Sequence, residues 1–144
     1  IATGLQLCST PILEVGKLIR LYAFSYLIAN GDLHAKNISI SSSPMKNRTE
    51  VTPAYDLLTT LPYGDSKMAL KLDGKDDNLR RKNFVEFGKR FEVKEKATHQ
   101  ILDEICDVSQ NWIHRLEEIG FNSKQTDHLR RSLLKRRDEL ASRA

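Results

Sequence analysis

The chain has 144 residues, 40% hydrophobic and 29% charged, enough to bury one core and too few for two comfortable domains, so residues 1–144 read as a single unit. A net charge of +4 and a pI near 9.1 suit acidic partners such as nucleotides or RNA, but the excess is too mild to select one. Two distant cysteines, Cys8 and Cys106, argue against a disulfide framework and a zinc site. With no signal peptide and no apolar run near the about 18 residues that a membrane span needs, a cytoplasmic protein with no membrane role is expected.

The sequence opens on Ile1 rather than methionine, and its first ten residues read as the end of a loop, as expected of a fragment of a longer chain. From Pro11 to Ala29, Ile12, Val15, Leu18, Ile19, Tyr22, Ala23, Tyr26 and Leu27 recur at three-and-four spacing, which predicts a helix. Ser9 and Thr10 supply a cap ahead of Pro11. Leu21, Phe24 and Ile28 widen the apolar face until the helix must be central, and Asn30-Gly31 ends it.

A short hairpin follows, with Ile38 to Ile40 as one arm, Ser41 to Pro44 as a polar turn and Glu50 to Thr52 as the return. Met68 to Leu72 alternates like a further strand before an Asp73-Gly74 turn. Beyond it the pattern is helical: Asn83 to Lys89, Lys94 to about Leu116, and Ser123 to about Leu140, with Ser123 as the last cap and Gly120 as the separator. The expected fold is mainly α with a small β-hairpin.

Chemistry concentrates in Asn30-Gly31-Asp32-Leu33-His34-Ala35-Lys36-Asn37, between the central helix and the first strand. Taken singly, Asp32 reads as a turn cap, His34 as a satisfied core histidine and Lys36 as a solvated side chain. Together they mean more. Phosphoryl transfer needs a carboxylate beside the attacking hydroxyl and oxygen ligands for magnesium bridging the nucleotide phosphates. An Asp followed five residues later by Asn, in a loop between helix and strand, has the protein-kinase catalytic-loop spacing. Asp56, in Thr52-Pro53-Ala54-Tyr55-Asp56-Leu57-Leu58, sits after the hairpin, where the second metal ligand is required.

Asn30 to Ile40, Thr52 to Pro62 with its Tyr-Asp-Leu-Leu core, and Ala69 to Lys75 resemble successive motifs of HipA-type serine/threonine protein kinases, the toxins of toxin-antitoxin systems. The resemblance implies the C-terminal lobe of a protein-kinase-like fold, with ATP and Mg2+ as cofactors. It implies that Asp32 orients the substrate hydroxyl and accepts its proton, that Asn37 and Asp56 bind the metal, that His34 holds the loop through hydrogen bonds, and that Lys36 lies near transferred phosphate or substrate. It implies as partners a protein substrate, an aminoacyl-tRNA synthetase in the family, and a helix-turn-helix antitoxin, with DNA reached only through that antitoxin.

The sequence carries no Gly-rich loop and no preceding strand lysine with a glutamate partner, which in this family lie in the N-terminal nucleotide-binding lobe. The expectation is truncation before Ile1 and little activity for residues 1–144 alone. Two other functions stay open: a small-molecule or lipid kinase, since the Asp-x-His-x-x-Asn loop also resembles that of phosphoinositide kinases, and a non-catalytic interaction module derived from a kinase lobe. The basic cluster of Arg130, Arg131, Lys135, Arg136 and Arg137 reads as a solvated face. Arg80, Arg81 and Lys82 read as an exposed charged turn, and Ile105, Val108, Trp112 and Leu116 as a core stripe.

Overall fold

The computed structural model describes residues 2–143. Its elements in order are α1 (Ala2–Leu5), α2 (Pro11–Leu27), β1 (Ile40–Ser43), β2 (Arg48–Val51), α3 (Arg81–Arg90), α4 (Glu95–Ile113) and α5 (Ser123–Ala141), joined by short 3-10 turns. The architecture is therefore mainly helical with one two-stranded antiparallel hairpin. Among the described residues no helix is long and apolar enough to cross a membrane.

Helix α2 is the central element, packed against α3, α4 and α5. Its Val15, Leu18, Ile19, Tyr22, Ala23, Tyr26 and Leu27 are buried, as the apolar spacing requires, while Ile12 lies half exposed in the first turn. Pro11 starts the helix, but Thr10 makes no side-chain cap bond. Ser9 is used elsewhere: it exchanges bonds with Thr49, its N–H donating to the Thr49 carbonyl and its Oγ accepting from the Thr49 N–H. The segment read as a loop end begins with the single helical turn α1, whose Leu5 is buried in the main core.

The hairpin pairs Ile40 with Val51 and Ser43 with Arg48. Ser41 to Ser43 are strand rather than turn, because this ribbon is largely exposed and hydroxyls suit it; the Thr49 hydroxyl donates to Ser42 Oγ. Glu14, wholly buried in α2, accepts the Val51 N–H at 2.8 Å through Oε2 and so pins the base of the hairpin to the central helix.

Met68 to Leu72 is not a strand. Its alternation reflects burial of Met68 and Leu72, but among the described residues its pairing goes no further than an isolated bridge of Leu72 with Lys75: the Met68 N–H donates to Asp76 and the Leu70 N–H to Leu33. The Asp73-Gly74 turn does form, with Leu72 and Lys75 exchanging both backbone bonds and positive φ at both central residues, a conformation glycine adopts freely and Asp tolerates.

At the helix ends, Asn122 rather than Ser123 caps α5 by accepting the Gln125 N–H, and Asn83 accepts the Arg80 N–H at the start of α3. Gly120, at φ 88°, closes the 3-10 turn Leu116–Ile119. Two basic residues expected in solvent are buried. Arg81 donates to the Leu140 carbonyl and pairs with Asp103, and Arg136 donates to the carbonyls of Tyr26 and Ser66. Val108, expected in the core, is 60% exposed. Cys8 and Cys106 are buried free thiols, and burial pushes both up from the usual thiol range.

A second hydrophobic cluster joins Ala29 and Leu61 to Ile113, Leu116, Leu129 and Leu133. The C-terminal helices thus support both chain segments from which the site described next is built.

Candidate active site

After α2 the chain makes a short polar loop on a fixed base. The Asn30 N–H donates to the Ser25 carbonyl, and its wholly buried side chain accepts the Asp32 N–H at 3.1 Å through Oδ1. Leu33 is buried in the core, and its carbonyl accepts the Leu70 N–H. With Leu33 turned in, its neighbours Asp32 and His34 are turned out, and both are exposed.

Residues Ala35–Asn37 form one 3-10 turn. The His34 N–H donates to Asn37 Oδ1 at 2.9 Å, so the hold that His34 exerts on the loop passes through its backbone, the imidazole being exposed. Lys36 is exposed too, and its carbonyl accepts the Tyr55 hydroxyl at 2.7 Å.

Asn37 is 6% exposed. Its Nδ2 donates to Asp56 Oδ2 at 2.8 Å, which brings together the amide and the carboxylate that the sequence separates by the whole hairpin. Asp56 itself adopts φ 58°, a left-handed conformation that Asp tolerates better than most non-glycine residues, within a stretch from Thr52 to Thr60 that has no regular secondary structure.

A second stitch runs between Ala29-Gly31 and Thr60. The Gly31 N–H donates to Thr60 Oγ1 at 2.7 Å, and the Thr60 N–H donates to the Ala29 carbonyl. Gly31 is required by this approach, since a Cβ there would lie 2.6 Å from Asp65 Oδ2 and 2.8 Å from Thr60 Oγ1. Asn30, Tyr55 and Thr60 carry these links without having been singled out from sequence; each stands inside or beside a motif, but only the fold reveals its partner.

The donor chemistry fits magnesium. Asn37 Oδ1 spends one lone pair on His34, Asp56 Oδ2 one on Asn37, and Asp56 Oδ1 completes a set of hard oxygens. Among the described residues no three His, Cys, Asp or Glu side chains gather as a metal cage. Magnesium needs none, because it commonly takes one or two carboxylates and completes its shell with water and substrate phosphates. A separate apolar groove of about 660 Å³, lined by Leu21, Phe24, Pro53, Leu57, Val108 and Trp112 among others, lies beside the segment leading to Asp56 and contains none of these ligands.

The sequence of residues 1–113 matches the family described as the HipA-like C-terminal domain. Over 63 residues, 42% of this chain and 15% of the relative, it is 44% identical to the Sinorhizobium fredii (strain NBRC 101917 / NGR234) protein named "Putative kinase Y4dM". The fold is similar to that of a chain in the complex of HipA, HipB and operator DNA of the Shewanella oneidensis MR-1 toxin-antitoxin system. That match has a TM-score of 0.72 at 19% identity and covers 95% of this chain and 34% of that one. This chain therefore spans about a third of the solved structure's length and less of the curated relative's. The family match takes in the loop with Asp32 and Asn37, the hairpin and the segment with Asp56, and the chain belongs to the HipA-like C-terminal domain family.

Proposed function

We propose that this chain supplies the catalytic and metal-binding loops of an ATP- and Mg2+-dependent kinase that phosphorylates serine or threonine on a protein. The observation that carries the reading is the 2.8 Å bond from Asn37 Nδ2 to Asp56 Oδ2, which unites two oxygen-donor side chains from opposite ends of the hairpin.

In this reading Asp32, exposed on a loop held by Asn30, orients the substrate hydroxyl and accepts its proton late in the transition state. Asn37, through Oδ1, and Asp56, through its carboxylate, would hold the metal, and the bond from Asn37 Nδ2 to Asp56 keeps the two side chains side by side. Magnesium, when bound, neutralises charge developing on the phosphate oxygens. His34 keeps Asn37 oriented through its backbone N–H, and Lys36 is exposed on the same turn. The nucleotide-binding lobe that would hold the remaining phosphates lies, in this proposal, outside residues 1–144.

By family likeness the proposed substrate is an aminoacyl-tRNA synthetase in the cytoplasm, and the proposed partner a helix-turn-helix antitoxin through which DNA is contacted. HipA and HipB share a complex with operator DNA in the Shewanella structure.

The test is ATP turnover by the full-length protein, with mass spectrometry of expressing cells to separate phosphoprotein from phosphorylated metabolite. Asp32→Asn and Asp56→Asn are each expected to lower turnover by roughly 10²-fold or more while the protein stays folded. Undiminished turnover in Asp32→Asn would end the site assignment, and a phosphorylated metabolite with no phosphoprotein would move the activity to a small-molecule kinase.

A further inference from the structure

Asp56 occupies an exposed, irregular segment in a left-handed conformation, so no backbone ladder fixes where its carboxylate points. Its carboxylate accepts from Asn37 Nδ2, and one residue back Tyr55 makes a second bond across to the same loop. Its hydroxyl lies 2.7 Å from the Lys36 carbonyl and 2.8 Å from Ser39 Oγ. A carbonyl can only accept, so the phenolic hydrogen goes to Lys36, and Ser39 donates to the Tyr55 oxygen.

Lys36 immediately precedes Asn37, as Tyr55 precedes Asp56. The two segments are therefore joined twice, once between the proposed metal ligands and once between the residues before them, which closes a small ring of chain and hydrogen bonds. A single bond between Asn37 and Asp56 would allow the Asp56 segment to pivot; a second bond one residue away removes that freedom. Tyr55 is 42% exposed, so its hydroxyl fills no buried hole and the core does not depend on it.

We propose that Tyr55 is a positioning residue for the metal site, its hydroxyl setting the orientation of Asp56 relative to Asn37 through the Lys36 carbonyl, with Ser39 as its support. The proposal rests on the metal-binding role given to Asn37 and Asp56 above. Groups that orient metal ligands typically account for 10- to 100-fold in metal affinity, and an exposed hydroxyl belongs at the low end of that range.

The experiment is Mn2+ titration of the full-length protein, with a non-hydrolysable ATP analogue present, followed by the electron paramagnetic resonance signal of free Mn2+. Thermal unfolding is measured in parallel. Tyr55→Phe is expected to weaken Mn2+ binding roughly 10-fold and to raise the Mg2+ concentration for half-maximal turnover by a similar factor. Its kcat at saturating Mg2+ should stay within about two-fold of the unaltered protein, and unfolding should stay cooperative. Ser39→Ala should shift Mn2+ binding in the same direction by less.

Unchanged Mn2+ affinity in a folded Tyr55→Phe protein overturns the proposal, as does loss of cooperative unfolding in that variant, which would assign the hydroxyl to the fold. Asp56→Asn separates the two levels. If it abolishes Mn2+ binding while Tyr55→Phe has no effect, only the positioning role fails; if it too leaves binding unchanged, the metal-site reading fails with it.

Discussion

The Arg136 guanidinium lies over the Tyr26 ring, 4.5 Å from its centroid, while its Nη1 donates to the carbonyl of the same tyrosine at 2.6 Å. Arg136 is 4% exposed and also reaches the Ser66 carbonyl, so one planar fork from α5 ties the end of α2 to the loop beyond the site. The Tyr26 hydroxyl in turn donates to Glu139 and accepts from the Leu79 N–H.

A lysine can cover this position but cannot present two donors in the same fork. Arg136→Lys is expected to cost about 1–3 kcal/mol, since a position only 4% exposed gives up the stacking on Tyr26 and one arm of a two-carbonyl fork. Its exposed neighbour is the control: Lys135→Ala should change stability by less than about 0.5 kcal/mol. Urea denaturation of the two variants measures the difference.

Glu14 links helix to hairpin from a fully buried position, with Lys17 3.1 Å from Oε1. Glu14→Ala strands the Val51 N–H and leaves a cavity, at a cost of about 3 kcal/mol or more. Glu14→Gln keeps an acceptor for Val51 and should cost clearly less. Hydrogen exchange at the Val51 amide reads the local effect, with protection falling sharply in the first variant and modestly in the second.

Gly31→Ala is expected to destabilise by about 1–3 kcal/mol, because the new methyl meets Asp65 and Thr60 below contact distance and Thr60 is held by its own bonds. Thr60→Ala removes one of the obstructing atoms together with a stitch. The two changes should be strongly non-additive, the double variant being more stable than the sum of the single losses predicts, as measured by a double-mutant cycle in thermal or urea unfolding.

Asp103 supplies a pH dependence. Burial pushes its carboxyl up, but hydrogen bonds and charge from Arg81 and Arg143 outweigh burial and hold it below the usual range. A lowered folded value means stabilisation that is present above the unfolded value of about 3.9 and lost as pH falls through the folded one. Stability should therefore drop more steeply below about pH 4 in the unaltered chain than in Asp103→Asn. At neutral pH the gap should be no more than about 1 kcal/mol, because the carboxylate is 39% exposed and solvent screens the pair.

Periodicity made α2, α3, α4 and α5 legible, since each must bury an apolar face and the spacing of that face is written locally. Met68 to Leu72 shows where such patterns mislead: alternation reports which side chains go in, whereas a strand also needs a neighbour to pair with. The cap of α5 was displaced by one residue because Asn122 and Ser123 are both good acceptors, and the chain's entry angle decides between them. Arg81 and Arg136 were hidden for another reason: a buried guanidinium is stabilised by carbonyls distant in sequence, here Leu140, Tyr26 and Ser66. Within the site, Asp32, Asn37 and Asp56 stood out by chemistry and spacing, while Tyr55 and Thr60 act through partners that only folding supplies.

The ribbon of β1 and β2 is fastened at its foot, where Ile40 faces Val51 and Thr52 bonds back to Ser39. The separation of Asn37 from Asp56 is thereby decided below the ribbon, and its far end, where Met45 is 100% exposed, has no say in it. Lengthening, trimming or labelling that tip should leave the chemistry untouched, which makes it a natural place to attach a reporter or to graft a recognition sequence.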